Sequence, residues 1–238
     1  MGYEYIERNL SEVREKIDAA CKKVGREEPV TMLAAVKYAE PAEIEYLYRE
    51  LGVKTVGENR VQQMLEHMES IDCEGLEFHF IGTLQTNKVK YIIDKAAIIH
   101  SVDSLRLAET INAEAAKKNV IANILIEVNV AQEESKFGLS VDEVLPLIEQ
   151  ISATCSNIRI RGLMTIAPFV EDPEENRSVF RDLQKLSVDI DGKNINNVSV
   201  DILSMGMSND FEVAVEEGAT HVRVGTSIFG QRNYNIEG

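Results

Sequence analysis

The sequence predicts a single α/β domain, a (β/α)8 TIM barrel with an extra helix before its first strand. Short apolar runs rich in β-branched residues alternate with longer amphipathic stretches from Val30 onward, and this alternation is typical of parallel βαβ units. Eight such runs can be counted, which favours a closed barrel over an open sheet. The 238 residues suit one barrel domain, with the extra helical segment over residues 1–29 and the barrel over residues 30–230.

The elements can be placed in order along the chain. The extra helix spans roughly Tyr5–Val24, and four apolar residues on one of its faces should cover one side or end of the barrel: Leu10, Val13, Ile17 and Ala20. The predicted strands are Val30–Val36, Val53–Val56, Glu77–Ile81, Ile98–Ser101, Ile124–Val130, Ile158–Thr165, Val198–Leu203 and Val222–Val224.

Helix start signals support this order. Ser140 followed by Glu143 forms a capping box ahead of an apolar helical face. Asp172 followed by Pro173 places an N-cap and a first-turn proline before the helix that precedes the seventh strand. Pro41 similarly begins the helix after the first strand.

Composition excludes several classes of protein. The net charge of -15 argues against nucleic acid, whose binding requires clustered Lys and Arg. The three cysteines and four histidines lack the spacing of disulfide frameworks or metal sites, so we expect reduced thiols and no metal. The charged N-terminus and the absence of a long apolar run predict a cytoplasmic protein without a signal peptide or membrane span.

The sharpest candidate for chemistry is Lys37, at the end of the first predicted strand. Strand alternation places it on the same face as Leu33 and Ala35. Apolar neighbours partly desolvate an amine and favour its reaction with a carbonyl. The alternative is that Lys37 extends from the barrel mouth into water.

The exits of the last two strands predict a phosphate site. The loop Ser204–Asp210, which includes Met205 and Ser208, follows the seventh strand, and Gly225 and Thr226 follow the eighth. Loops after strands seven and eight often bind phosphate in this fold, through backbone N–H groups and hydroxyls. Ordinary helix capping is the alternative for each segment taken alone.

Three further polar residues are candidates for the barrel mouth. Arg223 interrupts the run of Val222 and Val224, so it should point into the barrel, where a protein carboxylate or a ligand must accept its hydrogen bonds. Asn59 follows the second strand and is equally consistent with a helix cap. His79 could face the cavity, although a hydrogen-bonded core histidine is the alternative.

Six segments together resemble the pyridoxal phosphate homeostasis protein family, a family of fold-type III barrels related to the N-terminal domain of alanine racemase. The segments are AAVKY at Ala34–Tyr38, GENR at Gly57–Arg60, HFIGTLQTNK at His79–Lys88, RGLMTI at Arg161–Ile166, LSMGMSNDF at Leu203–Phe211 and VRVGTSIFG at Val222–Gly230.

The resemblance implies that pyridoxal 5′-phosphate (PLP) forms a Schiff base with Lys37. It further implies that Ser208, Gly225 and Thr226 hold the phosphate, that Arg223 lies against the pyridine nitrogen, and that Asn59 lies near the ring. An arginine cannot yield its proton, so an arginine opposite the nitrogen keeps the pyridine unprotonated and weakens the cofactor as an electron sink.

Three functions are consistent with these residues. The first is a monomeric protein without catalytic turnover that holds PLP and delivers it to apo-enzymes. The second is an amino-acid racemase or lyase, for which Tyr38 is one conceivable partner, although strand alternation aims it away from Lys37. The third is a barrel enzyme for another phosphorylated metabolite. Lys136 could serve as a second amine during loading or release, or be an ordinary surface lysine.

Overall fold

A computed structural model describes residues 2–132 and 137–231 of the chain, and within them the predicted barrel is confirmed. The parallel strands close in chain order, with the last strand paired to the first. The strands are β1 Thr31–Ala35, β2 Thr55–Glu58, β3 Glu77–Phe80, β4 Ile98–Val102, β5 Ala122–Glu127, β6 Ile158–Met164, β7 Val198–Met207 and β8 His221–Val224. Lys136 and its neighbours lie outside the described residues.

Helices connect the strands and form the outer layer. They are α1 Glu4–Lys23, α2 Pro41–Arg49, α3 Val61–Ser70, α4 Val89–Ile92, α5 Leu105–Lys118, α6 Val141–Thr154, α7 Arg177–Asp191, α8 Phe211–Glu216 and α9 Thr226–Phe229. The capping box of Ser140 and Glu143 is present, and Asp172 caps a 3-10 turn that leads directly into α7. Among the described helices, none is both long and apolar enough to cross a membrane.

The N-terminal helix covers one side of the barrel, as its apolar stripe predicts. Leu10, Val13, Ile17 and Ala20 are buried, and α1 packs against α8 and α9, the helices that follow β7 and β8. Asn9 Nδ2 donates to the backbone carbonyl of Ile228 at 2.9 Å, which fixes this contact. The helix therefore supports the two segments that were predicted to bind phosphate.

The main departure from the predicted elements is the length of β7. The sequence predicts a loop from Ser204 onward, but pairing with β8 continues to Met207, opposite Arg223. Gly206 allows the register shift at this point, because its φ of +87° favours glycine and an added Cβ would lie 2.5 Å from Ala214 Cβ. The turn after the strand is consequently short, and it begins at Ser208.

Gly162 permits a close approach of β6 to β7, and replacing it with alanine should destabilise the barrel strongly. Its φ is +151°, and an added Cβ would lie 1.8 Å from the carbonyl oxygen of Ile202. We expect Gly162→Ala to lower the free energy of unfolding by about 3 kcal/mol or more, because backbone must move to relieve the overlap.

Urea denaturation measures this loss, and Gly52→Ala is the matched control. Gly52 also has a positive φ, of +67°, but open space surrounds its Cβ direction. The control should lose only about 1–2 kcal/mol from backbone strain. Equal losses for the two variants would show that the contact with β7 is unimportant.

Candidate functional site

Lys37 lies in a tight turn at the C-terminal mouth of the barrel. Its strand ends at Ala35, the Val36 amide still donates to Gly57 O at 3.0 Å, and the Ala39 amide closes the turn on Val36 O at 2.9 Å. The side chain of Gln63 on α3 donates to the Lys37 carbonyl. Hydrogen bonds therefore hold the backbone of this half-buried lysine on both sides. They fix the position from which its side chain extends.

Tyr38 does not point away from Lys37 as strand alternation predicted. The Lys37 Nζ lies 4.6 Å from the centroid of the Tyr38 ring, within the range of a cation–π contact. Because β1 ends at Ala35, the turn rather than the strand period sets the directions of both side chains. Tyr38 consequently lies beside the candidate amine.

Two backbone amides converge on a single oxygen next to this turn. Ser208 Oγ accepts hydrogen bonds from Gly225 N at 3.1 Å and from Ser227 N at 3.3 Å. Amides arranged around one oxygen in this way can also bind an oxygen of a phosphate. The geometry therefore fits the predicted phosphate-binding role of this part of the mouth.

The pairing of β1 with β8 brings the amine and these amides together. Ala34 pairs with Val224, so the turn carrying Lys37 and the segment beginning at Gly225 leave the barrel side by side. A Cβ at Gly225 would lie 3.2 Å from Ala35 O, which shows how closely the two chains approach. The structure thus brings the turn of Lys37 and the segment of Gly225 to the same edge of the barrel mouth.

Arg223 points into the barrel, as predicted, and is only 5% exposed. Its Nη1 donates to Ser204 Oγ at 2.6 Å and its Nη2 donates to Thr165 O at 2.9 Å. Burial lowers the pKa of the guanidinium to about 10, although the carboxylates of Asp210 and Glu127 oppose that shift. The guanidinium is thus a positively charged group oriented by a hydroxyl and a carbonyl. Such a group can donate to an electron-rich atom of a ligand.

Asn59 is not the helix cap that was the alternative to a site role. The N-cap of α3 is Arg60, without a side-chain cap hydrogen bond. Asn59 is half-buried, its backbone N–H donates to Glu58 Oε2 at 3.1 Å, and it lines a cavity of about 300 Å³ with Phe80 and Lys88. Asn59 thus lies at a cavity beside the C-terminal end of β2.

Two predicted site residues lie elsewhere. Met205 is fully buried in the apolar core, on the face of β7 opposite Ser204, because adjacent strand residues alternate. His79 lies inside the barrel, where its Nδ1 is 2.9 Å from His100 Nε2, and it lines a cavity at the N-terminal end. The proposed site therefore excludes direct contacts from the side chains of both residues.

Glu127, a buried carboxyl group at the end of β5, was not among the residues predicted from the sequence. Its pKa is raised to about 7, first because burial disfavours its charged form and second because Asp103 is nearby, whereas Arg223 lowers it. One signal could have revealed it, since Glu127 is the acidic residue within the apolar run Ile124–Val130. Glu127 adds a group that changes charge near neutral pH.

Comparisons with known proteins agree with this geometry. The family model described as "Alanine racemase, N-terminal domain" matches residues 8–233. A protein of Aquifex aeolicus named "Pyridoxal phosphate homeostasis protein" is 45% identical over 94% of this chain and 97% of its own length.

Two solved structures are similar over nearly their whole length. A crystal structure of an unknown protein from Bifidobacterium adolescentis has a TM-score of 0.89 and 34% identity, with 95% of each chain covered. The structure of PipY from Synechococcus elongatus with PLP bound has a TM-score of 0.81 and 30% identity, covering 94% of this chain and 100% of that chain.

Proposed function

Because the chain belongs to the pyridoxal phosphate homeostasis protein family, we propose that it holds PLP at the mouth of its barrel and buffers or delivers this cofactor. The observation that carries the proposal is the junction of β1 and β8. There the turn that carries Lys37 leaves the barrel beside the segment whose two backbone amides already bind an oxygen. An aldehyde and a phosphate on one small molecule match these two features.

Each part of the cofactor has a proposed partner in this chain. The amine of Lys37 would hold the aldehyde by condensing with it, which releases the carbonyl oxygen as water. The phosphate is held by Ser208, Gly225 and Thr226, of which Ser208 and Gly225 already form the oxygen-binding arrangement. Arg223 would hold the pyridine nitrogen from inside the barrel, and Asn59 would lie near the ring. When bound, PLP supplies an electrophilic ring that withdraws electrons from an attached amino group.

The geometry around Arg223 supports a holding role rather than turnover. Its charge is fixed by hydrogen bonds to Ser204 and Thr165, and a guanidinium does not transfer its proton to the ring nitrogen at neutral pH. Carbanion chemistry benefits from a protonated ring, so this arrangement disfavours it. We propose that the protein does not turn over amino acids.

Deuterium exchange tests the absence of turnover. PLP-loaded protein is incubated with L-alanine in D2O, and Cα exchange is followed by NMR and racemisation by chiral chromatography. We expect neither above the rate of free PLP. Rapid exchange would favour the racemase alternative, with Glu127 or Tyr38 as the first residues to substitute, because Glu127 ends β5 and Tyr38 follows the end of β1.

Delivery is tested with an apo-aminotransferase as the acceptor. A phosphatase that consumes free PLP is added to the mixture of loaded protein and acceptor. We expect reactivation of the acceptor to persist under conditions in which the same amount of free PLP no longer reactivates it. Equal suppression by the phosphatase would mean that PLP is only released into solution.

We also propose a cellular compartment and an oligomeric state for this protein. Cys21, Cys73 and Cys155 are unpaired among the described residues, which supports a reducing cytoplasmic setting. We propose a monomer that contacts apo-enzymes transiently.

Removing the Ser208 hydroxyl should weaken PLP binding. Ser208→Ala deletes the oxygen that organises the Gly225 and Ser227 amides, so we expect Kd for PLP to rise about tenfold, as for the loss of one charge-assisted hydrogen bond. Fluorescence titration measures Kd. The control is Ser152→Ala, whose hydroxyl contacts Asn196 O on the outer layer. Unchanged or tighter binding by Ser208→Ala would remove this residue from the phosphate site.

A further inference from the structure

A line of buried side chains crosses the barrel interior and ends at Arg223. Arg223 Nη1 donates to Ser204 Oγ at 2.6 Å, Ser204 Oγ is 3.0 Å from His100 Nδ1, and His100 Nε2 is 2.9 Å from His79 Nδ1. Ser204 and His100 are fully buried, and His79 is nearly so. We call these three residues, Ser204, His100 and His79, the interior chain.

The direction of every hydrogen bond in the interior chain follows from Arg223. A guanidinium can only donate, so Ser204 Oγ is an acceptor there. Within the described residues, His100 Nδ1 is the acceptor that the structure offers to the Ser204 hydroxyl proton. A fully buried hydroxyl needs that partner, because an unmade hydrogen bond in the interior is costly.

The same logic fixes both histidine tautomers. If His100 Nδ1 accepts a proton from Ser204, then neutral His100 carries its hydrogen on Nε2 and donates it to His79 Nδ1. His79 then carries its hydrogen on Nε2. That atom lies 4.0 Å from Glu77 Oε2, in a cavity of about 430 Å³ at the N-terminal end of the barrel.

Both imidazoles are expected to stay neutral. Burial first, and His221 second, lower the pKa of His79 to about 3. Burial, then His79, Arg223 and His221, lower the pKa of His100 well below its usual range. A charged imidazole would donate from both nitrogens. At either position it would therefore leave two donors facing each other within the interior chain.

We propose that Ser204, His100 and His79 are positioning residues, which hold the Arg223 guanidinium in one orientation through a one-way series of hydrogen bonds that runs from Arg223 to the opposite end of the barrel. This proposal rests on the proposed function in one respect, namely that the ligand bound at Arg223 is PLP. The interior chain itself is a property of the protein without cofactor. It explains why histidines, rather than apolar residues, occupy these buried positions on β3 and β4.

The first test uses the cofactor-free protein. A long-range ¹H–¹⁵N correlation spectrum of ¹⁵N-histidine protein distinguishes the two neutral tautomers. We expect His79 and His100 to be entirely in the Nε2–H form at pH 7. In Ser204→Ala we expect His100 to populate both tautomers, because its fixed donor is gone. The Nδ1–H tautomer for either residue in the wild type would overturn the proposal.

The second test asks whether Arg223 loses its position. In Ser204→Ala, Arg223 loses an acceptor. In His100→Leu, that acceptor loses the partner that orients it. In both variants we expect the absorption band of PLP bound at Lys37 to shift and Kd for PLP to rise about tenfold. His100→Gln should restore both values towards those of the wild type, because a side-chain amide also offers one acceptor and donors.

The matched control is Ser187→Ala. Ser187 is a buried serine on α7 whose hydroxyl donates to Gln184 O, outside the barrel interior. We expect its band and Kd to match those of the wild type. If Ser204→Ala behaves like this control, the positioning role is refuted. If the wild type binds no PLP, the proposed function fails, whereas the tautomer measurement still decides whether the interior chain exists.

Discussion

Replacing Lys37 with alanine is expected to abolish covalent retention of PLP. Wild-type protein reconstituted with PLP and reduced with borohydride should gain the mass of one reduced cofactor, on the peptide that contains Lys37. Lys37→Ala should gain none and should lose the visible absorption band. The physical reason is that Lys37 is the lysine of the Val36–Ala39 turn, whose backbone runs beside the segment of the proposed phosphate site.

The control for this experiment is Lys90→Ala. The Lys90 Nζ lies 4.9 Å from the centroid of the adjacent Tyr91 ring, much as Lys37 lies over Tyr38, but Lys90 is on α4 and exposed. This variant should keep both the band and the mass gain. Labelling of Lys90, or undiminished labelling in Lys37→Ala, would place the cofactor on another amine.

The second large effect is expected for Glu127→Gln, which should make the cofactor-free protein more stable at pH 8. Folding raises the pKa of this carboxyl from 4.5 to about 7 because burial disfavours its charge. Between these values the folded state binds more protons than the unfolded state, so stability falls as pH rises. The cost is small near pH 5 and reaches roughly 3 kcal/mol above pH 7.

Glutamine is neutral at every pH and escapes this cost. The stability difference between Glu127→Gln and wild type should therefore grow by roughly 2–3 kcal/mol between pH 5 and pH 8, measured by urea denaturation. Glu149→Gln, at an exposed position on α6, controls for the change of net charge. A difference that does not vary with pH would show that Glu127 ionises normally in the folded protein.

The architecture was predictable because it rests on local patterns. Hydrophobic alternation located the strands, and capping signals such as Ser140 with Glu143 located helix starts. Arg223 could be assigned to the interior from alternation alone, since its neighbouring valines face the helices. These features depend on residues close together in sequence.

The sequence-based predictions were wrong where tertiary contacts override the local pattern. The extension of β7 depends on a glycine bulge and on pairing with β8, and the direction of Tyr38 depends on where β1 ends. The two-residue period of a strand predicts that His79 faces the barrel interior. It does not predict how far along the barrel axis the side chain lies from the mouth. The role of Glu127 is equally non-local, because its pKa is set by burial within the closed barrel.

The junction of β1 and β8 has a consequence for biosynthesis. The proposed amine is contributed by residue 37 and the oxygen-binding amides by residues 225 and 227, so the two halves of the pocket are separated by nearly the whole length of the chain. A nascent polypeptide emerging from the ribosome carries the lysine long before it carries the amides. We therefore expect PLP capture at the proposed pocket to wait until residues 225 and 227 have been synthesised and the last strand has closed the barrel.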